Sequence, residues 1–129
     1  MWHKYSCLII VLLFTGCTSV LSPGAPRLHV SGHVLDADHK PLAYATVVVN
    51  GVRKETDENG CFYFGGNQAA SEVDLTANKL GYKQYHGQKG RDFYEVIINL
   101  PAENSNDDAS AYWQQLTIEE LPKYKQCGE

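Results

Sequence analysis

The sequence has no apolar run long enough to cross a bilayer, no excess of basic charge, and only four cysteines and one methionine in 129 residues. Its longest apolar run, Leu8 to Phe14, falls far short of the roughly 20 residues that a spanning helix needs. Eleven Lys and Arg against fifteen Asp and Glu give a formal charge of −4, which offers no electrostatic footprint for nucleic acid. No HxxE or HExxH pairing is present, which argues against a zinc peptidase, and no nucleophile elbow, GxGxxG or phosphate loop offers another catalytic route. The expectation is a chain without catalytic residues, cofactor, metal site or nucleic-acid partner.

What is present starts with MWHKYSCLIIVLLFTGC, which places Lys4 near the front, then the apolar run, then the small residues Thr15 and Gly16 before Cys17. This is the outline of a signal peptide. FTGC resembles the bacterial lipobox, in which cleavage before the cysteine follows attachment of a diacylglycerol to its sulfur. Phe14 stands where that family usually has Leu. The resemblance implies lipidation at Cys17 and a firm membrane anchor, because several acyl chains hold where a single chain is marginal. Thr18 occupies the position where Asp signals retention in the inner membrane of enteric bacteria. The expected location is therefore the outer membrane, facing the periplasm. Ordinary secretory cleavage is the alternative, and both imply export. Loss of residues 1–16 removes Lys4 and no acid, moving the charge from −4 to −5.

Residues 17–26 include SVLSPGAP, whose Ser, Pro and Gly without an apolar period mark a flexible tether. From Arg27 onward short β-rich runs alternate with turn residues: RLHVSGHVL, DADHKP, AYATVVV, NG, VRKET, DENG and CFYF. Strands this closely spaced predict an all-β sandwich over 27–100 rather than a βαβ fold. Alternation assigns Leu28, Val30, Gly32 and Val34 to the core side, with Ala45, Val47 and Val49, Phe62 and Phe64, Val73, Leu75 and Ala77, and Tyr94, Val96, Ile98 and Leu100.

Residues 101–129 differ. PAENSNDDAS is a linker by composition, and AYWQQLTIEELPKYKQCGE returns to an apolar texture. Thr117 and Glu120 stand in capping-box spacing, predicting a short helix limited by Pro122. Tyr44, Val48 and Tyr63 make the outer faces more apolar than solvent requires, so the tail is expected to pack there.

The ordered set Gly32, Val34, Asp36; Pro41, Leu42, Ala45, Val47, Val49; Thr56, Asp57, Gly60, Phe62, Phe64; Gly81 and Tyr82 resembles the carboxypeptidase regulatory-like domain over about residues 29–100. That domain belongs to the transthyretin-like group. The resemblance implies a seven-stranded Greek-key sandwich, here with a short C-terminal helical tail. It implies fold more firmly than activity: related domains serve as accessories to peptidases, as free lipoproteins, or as contact domains of outer-membrane transport proteins. The hydroxyisourate hydrolases of the same group use a C-terminal Tyr-Arg-Gly-Ser, whereas this chain ends in Gln126, Cys127, Gly128 and Glu129. The implied role is a structural or protein-interaction module with an envelope partner. A small-ligand or carbohydrate binder, or a transthyretin-related hydrolase, using the 81–95 segment is the alternative.

Several residues carry candidate chemistry. His29 and His33 share a strand face, but positions four apart on a strand lie roughly 13 Å apart at about 3.3 Å per residue, too far for one zinc ion. They and His39 are expected to be solvated. Asp57, Asn59 and Gly60 echo a calcium loop, yet Gln68 stands where its bidentate Glu belongs, so a hairpin turn is expected. GYKQYHGQKGRDFYE, residues 81–95, mixes aromatic and basic side chains in a predicted loop. Tyr82, Tyr85, His86 and Arg91 are its candidate interaction surface.

Export gives meaning to the cysteines. Cys7 leaves with the signal peptide and Cys17 is blocked by lipid, leaving Cys61 and Cys127 in an oxidising compartment. Alternation turns Cys61 away from the core, toward a face that could receive the tail carrying Cys127. A bridge between the two is the expectation, with an intermolecular bridge and unpaired thiols as alternatives.

Overall fold

The computed structural model describes residues 28–66 and 71–121; the predicted signal peptide, the 17–26 tether, Cys17 and Cys127 lie outside the described residues. The architecture is all-β. Eight strands run in the order β1 (Leu28–Leu35), β2 (Thr46–Val49), β3 (Val52–Glu55), β4 (Cys61–Gly66), β5 (Glu72–Asn78), β6 (Tyr85–Gly90), β7 (Phe93–Asn99) and β8 (Ser110–Leu116). They form two four-stranded sheets, β4-β1-β7-β8 and β3-β2-β5-β6, here called sheets A and B. Within sheet A the central β1–β7 pair is parallel, and the described ladders on either side of it are antiparallel.

The core lies between the sheets and contains the alternating set expected from sequence. Val30, Val34, Ala45, Val47, Val49, Val73, Leu75, Ala77, Val96, Ile98 and Leu100 are all 0% exposed. Phe62 and Phe64 pack with ring centroids 6.1 Å apart. Gly32 belongs to this row because a Cβ there would stand 1.8 Å from the Val96 carbonyl oxygen, so no larger residue fits between β1 and β7.

The turns are built by their own side chains. Asp36 Oδ1 accepts the backbone N–H groups of Asp38 (2.8 Å) and Lys40 (2.9 Å). Asp57 Oδ1 accepts those of Asn59 (2.8 Å) and Cys61 (3.0 Å). Gly60 sits at φ 74°, and a Cβ there would meet the Val34 carbonyl oxygen at 2.6 Å, so glycine is required. Thr56 is buried and its hydroxyl joins two segments, donating to the Leu42 carbonyl at 2.7 Å and accepting from Ala45 N–H at 2.9 Å. Thr56, Asp57 and Gly60 thus act as fold-making residues.

Two segments depart from the sequence expectation. Within 81–95, read as a long loop, residues Tyr85–Gly90 form β6, paired antiparallel to β5 from Glu72↔Gly90 to Ala77↔Tyr85. Its sequence YHGQKG lacks an apolar alternation, so the backbone ladder and Tyr85 hold it rather than a buried side-chain row. The second departure is the tail. Residues Ser110–Leu116 form β8, an eighth strand added beside β7, where a seven-stranded sandwich ending near Leu100 was expected. Among the described residues no α-helix follows: Thr117 to Glu120 form a turn. The capping-box contact exists nonetheless, with Thr117 N–H donating to Glu120 Oε1 at 2.9 Å.

Of the expected tail only residues 101–121 are described, and the part that forms β8 does not lie across an outer face. It extends sheet A at its edge and turns Trp113 inward, where the ring stands edge-on to Tyr94 at 5.2 Å. Tyr44 remains 59% exposed. The 101–109 connection is pinned to the β5–β6 turn: Lys83 N–H donates to the Pro101 carbonyl (2.9 Å), Glu103 N–H to that of Gly81 (3.0 Å), and Lys83 Nζ to that of Asp107 (2.6 Å).

Candidate functional site

Two outward faces collect the chain's candidate residues. The outer face of sheet A carries His29, Ser31 and His33 from β1 and Cys61 and Tyr63 from β4. Cross-strand register places Ser31 opposite Tyr63 and His33 opposite Cys61. His29 is 3% exposed, Ser31 5% and Cys61 6%, so the expectation of solvated strand histidines fails at His29. Its Nε2 meets Ser31 Oγ at 3.0 Å, and the Tyr63 ring stands edge-on to it at 5.3 Å. Burial holds the His29 imidazole below its ordinary pKa and favours the neutral ring. His33 Nε2 lies 3.0 Å from Cys61 Sγ. Alternation correctly turned these residues away from the core, but it carries no information on what covers an outer face.

The outer face of sheet B is open and polar. Asp74 on β5 lies beside β6, and its Oδ1 meets His86 Nε2 at 2.7 Å while Oδ2 accepts from Gln88 Nε2 at 3.2 Å. These contacts, Gln88 first and His86 second, hold the Asp74 carboxyl below its ordinary range. Val48, Asn50, Gly51, Ser71, Glu72, Asp74 and Thr76 line a shallow concavity of about 570 Å³. Asn50, at φ 49° in the β2–β3 turn, donates to the Glu72 carbonyl (3.1 Å) and accepts from Asp74 N–H (2.8 Å). Its side chain therefore prolongs the sheet rather than reaching for a ligand.

The structure does not bring the four candidates of residues 81–95 together. Tyr85 faces inward, packs against the core and accepts a 2.9 Å hydrogen bond from Trp113 Nε1. His86, the next residue, faces outward and is exposed. Tyr82 is half-buried against the core and bridges to Ala102, and Arg91 is exposed beyond the end of β6. Only His86 belongs to the polar face. Its partner Asp74 was missed because the pairing depends on the β5–β6 register, which an unrecognised strand conceals. Among the described residues no cluster of three or more His, Cys, Asp or Glu is placed to hold a metal.

These features define a compact two-sheet β-sandwich whose polar motif residues build turns. Residues 29–92 match the model of the carboxypeptidase regulatory-like domain, and β7 and β8 lie beyond the matched segment. Structural protein 27 of a virus (isolate Australia/Victoria) is 43% identical over 90 residues, covering 70% of this chain and 16% of the viral protein. The chain thus corresponds to a small part of that relative. Among solved structures, catechol 1,2-dioxygenase from Pseudomonas arvilla C-1 is similar with a TM-score of 0.50 and 14% identity, over 69% of this chain and 56% of that one. This likeness concerns the sandwich fold alone.

Proposed function

We propose that the chain is a non-catalytic structural or protein-interaction module displayed on a membrane surface. The observation that carries this is the use of its motif residues. Thr56 and Asp57 spend their side-chain oxygens on the backbone of their own turns, and Gly60 is required sterically, so the family pattern specifies a scaffold. The viral relative is itself a structural protein, which supports the same reading.

In this proposal Cys17 carries the lipid, residues 17–26 hold the sandwich off the membrane, and the surface is the outer membrane facing the periplasm, where an envelope protein is the partner. Cys61 and Cys127 form an intramolecular bridge. Its support is that Cys61 faces outward on sheet A opposite His33, is 6% exposed and has an interaction besides the His33 contact; Cys127 lies outside the described residues. Labelling cells with a fatty-acid probe tests the anchor: label on the wild-type chain and none on Cys17→Ser is expected, whereas an unlabelled wild-type chain removes it. Envelope cross-linking that captures one dominant protein is the expected result for the module.

A second reading, a small-ligand site, draws on the concavity of sheet B. It requires the ligand to engage Asp74 and His86 rather than the 81–95 segment as a whole. Shifts of the His86 ring resonances on adding monosaccharides would support it, and unchanged resonances would remove it.

A further inference from the structure

Among the described residues one buried side-chain polar atom lacks a hydrogen-bond partner, the Oδ1 of Asn99. The other buried polar side chains are satisfied, as at Thr56 and His29, and native interiors leave few exceptions of this kind. Asn99 ends β7, opposite Leu35 of β1 and Ser110 of β8. Ile98 and Ala111 face the core, so Asn99 and Ser110 turn to the outer side of sheet A. They line a cavity of about 250 Å³ with Asp107 and Asp108 from the 101–109 connection, Ala37 and His39 from the turn after β1, and Pro101.

The polar part of this cavity is rich in acceptors. Asp107 and Asp108 are exposed, and among the described residues neither carboxylate has an ion-pair partner, the one such pair being His86 with Asp74. Lys83, the cation bonded to this connection, donates to the Asp107 backbone carbonyl, which leaves the carboxylate its accepting capacity. Ala37 and the buried Pro101 give the wall an apolar part. The walls are held in place as well. Asp36 Oδ1 fixes the turn that carries Ala37 and His39, and Ser105 Oγ accepts Asp107 N–H at 3.0 Å. Groups already ordered lose little further freedom on binding.

We propose that this cavity receives an arginine side chain of a partner protein, its guanidinium donating to Asn99 Oδ1 and to the carboxylates of Asp107 and Asp108. The choice follows from the donors that the site requires. A buried acceptor and two carboxylates together call for a cation with several N–H groups, and guanidinium carries five in a planar fork. It is more weakly hydrated than an ammonium, so reaching a buried oxygen costs it less, and it stacks on rings such as that of His39. Its alkyl stem suits the wall of Ala37 and Pro101. Arginine is enriched at protein interfaces, where lysine is depleted. A metal ion is served less well, because among the described residues no three His, Cys, Asp or Glu are placed to hold one. The formal charge of −4 favours encounter with a basic partner.

This inference rests on the interaction-module reading and names the chemistry of one of its contacts. The test is nuclear magnetic resonance of the full isotope-labelled chain in mild detergent at physiological salt, titrated separately with a blocked Gly-Arg-Gly peptide, the matching Gly-Lys-Gly peptide and calcium chloride. The arginine peptide is expected to shift the Asn99 side-chain amide and the Ser110 backbone amide saturably, and the lysine peptide to bind at least about threefold more weakly. Asp107→Asn with Asp108→Asn is expected to weaken the arginine peptide by at least about tenfold, with melting unchanged because both positions are exposed. Asn99→Ala, read at the Ser110 amide, is expected to weaken it by at least about threefold. No saturable shift, an unchanged affinity in either variant, a lysine peptide that binds as tightly, or calcium that moves the same amides at lower concentration would each overturn the proposal. Such results leave the module reading to its own test, the capture of an envelope partner, so the two failures are distinguishable.

Discussion

The two outer faces of this sandwich obey the same alternation and have opposite fates. On sheet A the outward residues His29, Ser31 and Cys61 of β1 and β4, with Leu116 at the end of β8, are nearly as inaccessible as the core, at 3%, 5%, 6% and 2% exposed, while Ser110, Tyr112 and Gln114 of β8 meet solvent. On sheet B the outward residues of β5 and β6 include exposed Glu72, His86 and Gln88 and half-buried Asp74 and Thr76. Period-two patterning tells which side of a strand a residue occupies. It does not tell whether that side meets water. On sheet A outwardness is a structural burden shared by a histidine and a cysteine; on sheet B it leaves polar groups available.

The largest effect that sharpens this contrast is expected at Cys61. If it bridges to Cys127, replacing both by alanine removes a constraint worth roughly 4 kcal/mol in the chain-entropy account, measurable as a lower denaturation midpoint in urea without reductant. An unchanged midpoint contradicts the bridge. Leu116→Ala comes next, at about 3 kcal/mol for truncating a buried leucine; a loss within experimental error would mean that the outer face of sheet A contributes no more than an exposed one.

The third prediction concerns pH. Burial lowers the His29 pKa below 6.5, so the unfolded chain binds the proton more readily than the folded one. Stability is therefore full above pH 6.5 and declines as the pH falls below it. His29→Gln should flatten that part of the stability profile; a profile that keeps its slope assigns the effect to another group. The smallest effect is expected on sheet B. Asp74 titrates below its ordinary 3.8 because Gln88 and His86 bond its charged form, so this contribution is present above that pH and lost as acid protonates the carboxylate. Exposure and salt screen it, and Asp74→Asn should leave the melting temperature at neutral pH unchanged.

The same contrast explains which parts of the fold were legible in the sequence. β1, β2, β5 and β7 announce themselves through Val, Ile and Leu at alternate positions, and the DENG turn through Asp57 and Gly60. β6 does not, because Tyr85 alone supplies an inward aromatic and Gly87 and Gly90 interrupt the pattern. β8 carried a usable signal in Ala111 and Trp113, two apart and both facing in, but the capping-box spacing of Thr117 and Glu120 drew the segment toward a helix that the described residues do not form. The candidate site suffered from the first omission: without β6 there is no register to set His86 beside Asp74. The burial of His29 was beyond any strand-level pattern, since it depends on tertiary cover.

The proposed membrane-displayed module is tested most directly by intact-mass and peptide-mapping analysis of the exported chain, prepared without reductant. The expected result is a chain that begins at an acylated Cys17 and yields one peptide joining Cys61 to Cys127. A chain that retains residues 1–16, or that begins elsewhere with Cys17 unmodified, would contradict the lipid-anchored display on which the functional proposal rests.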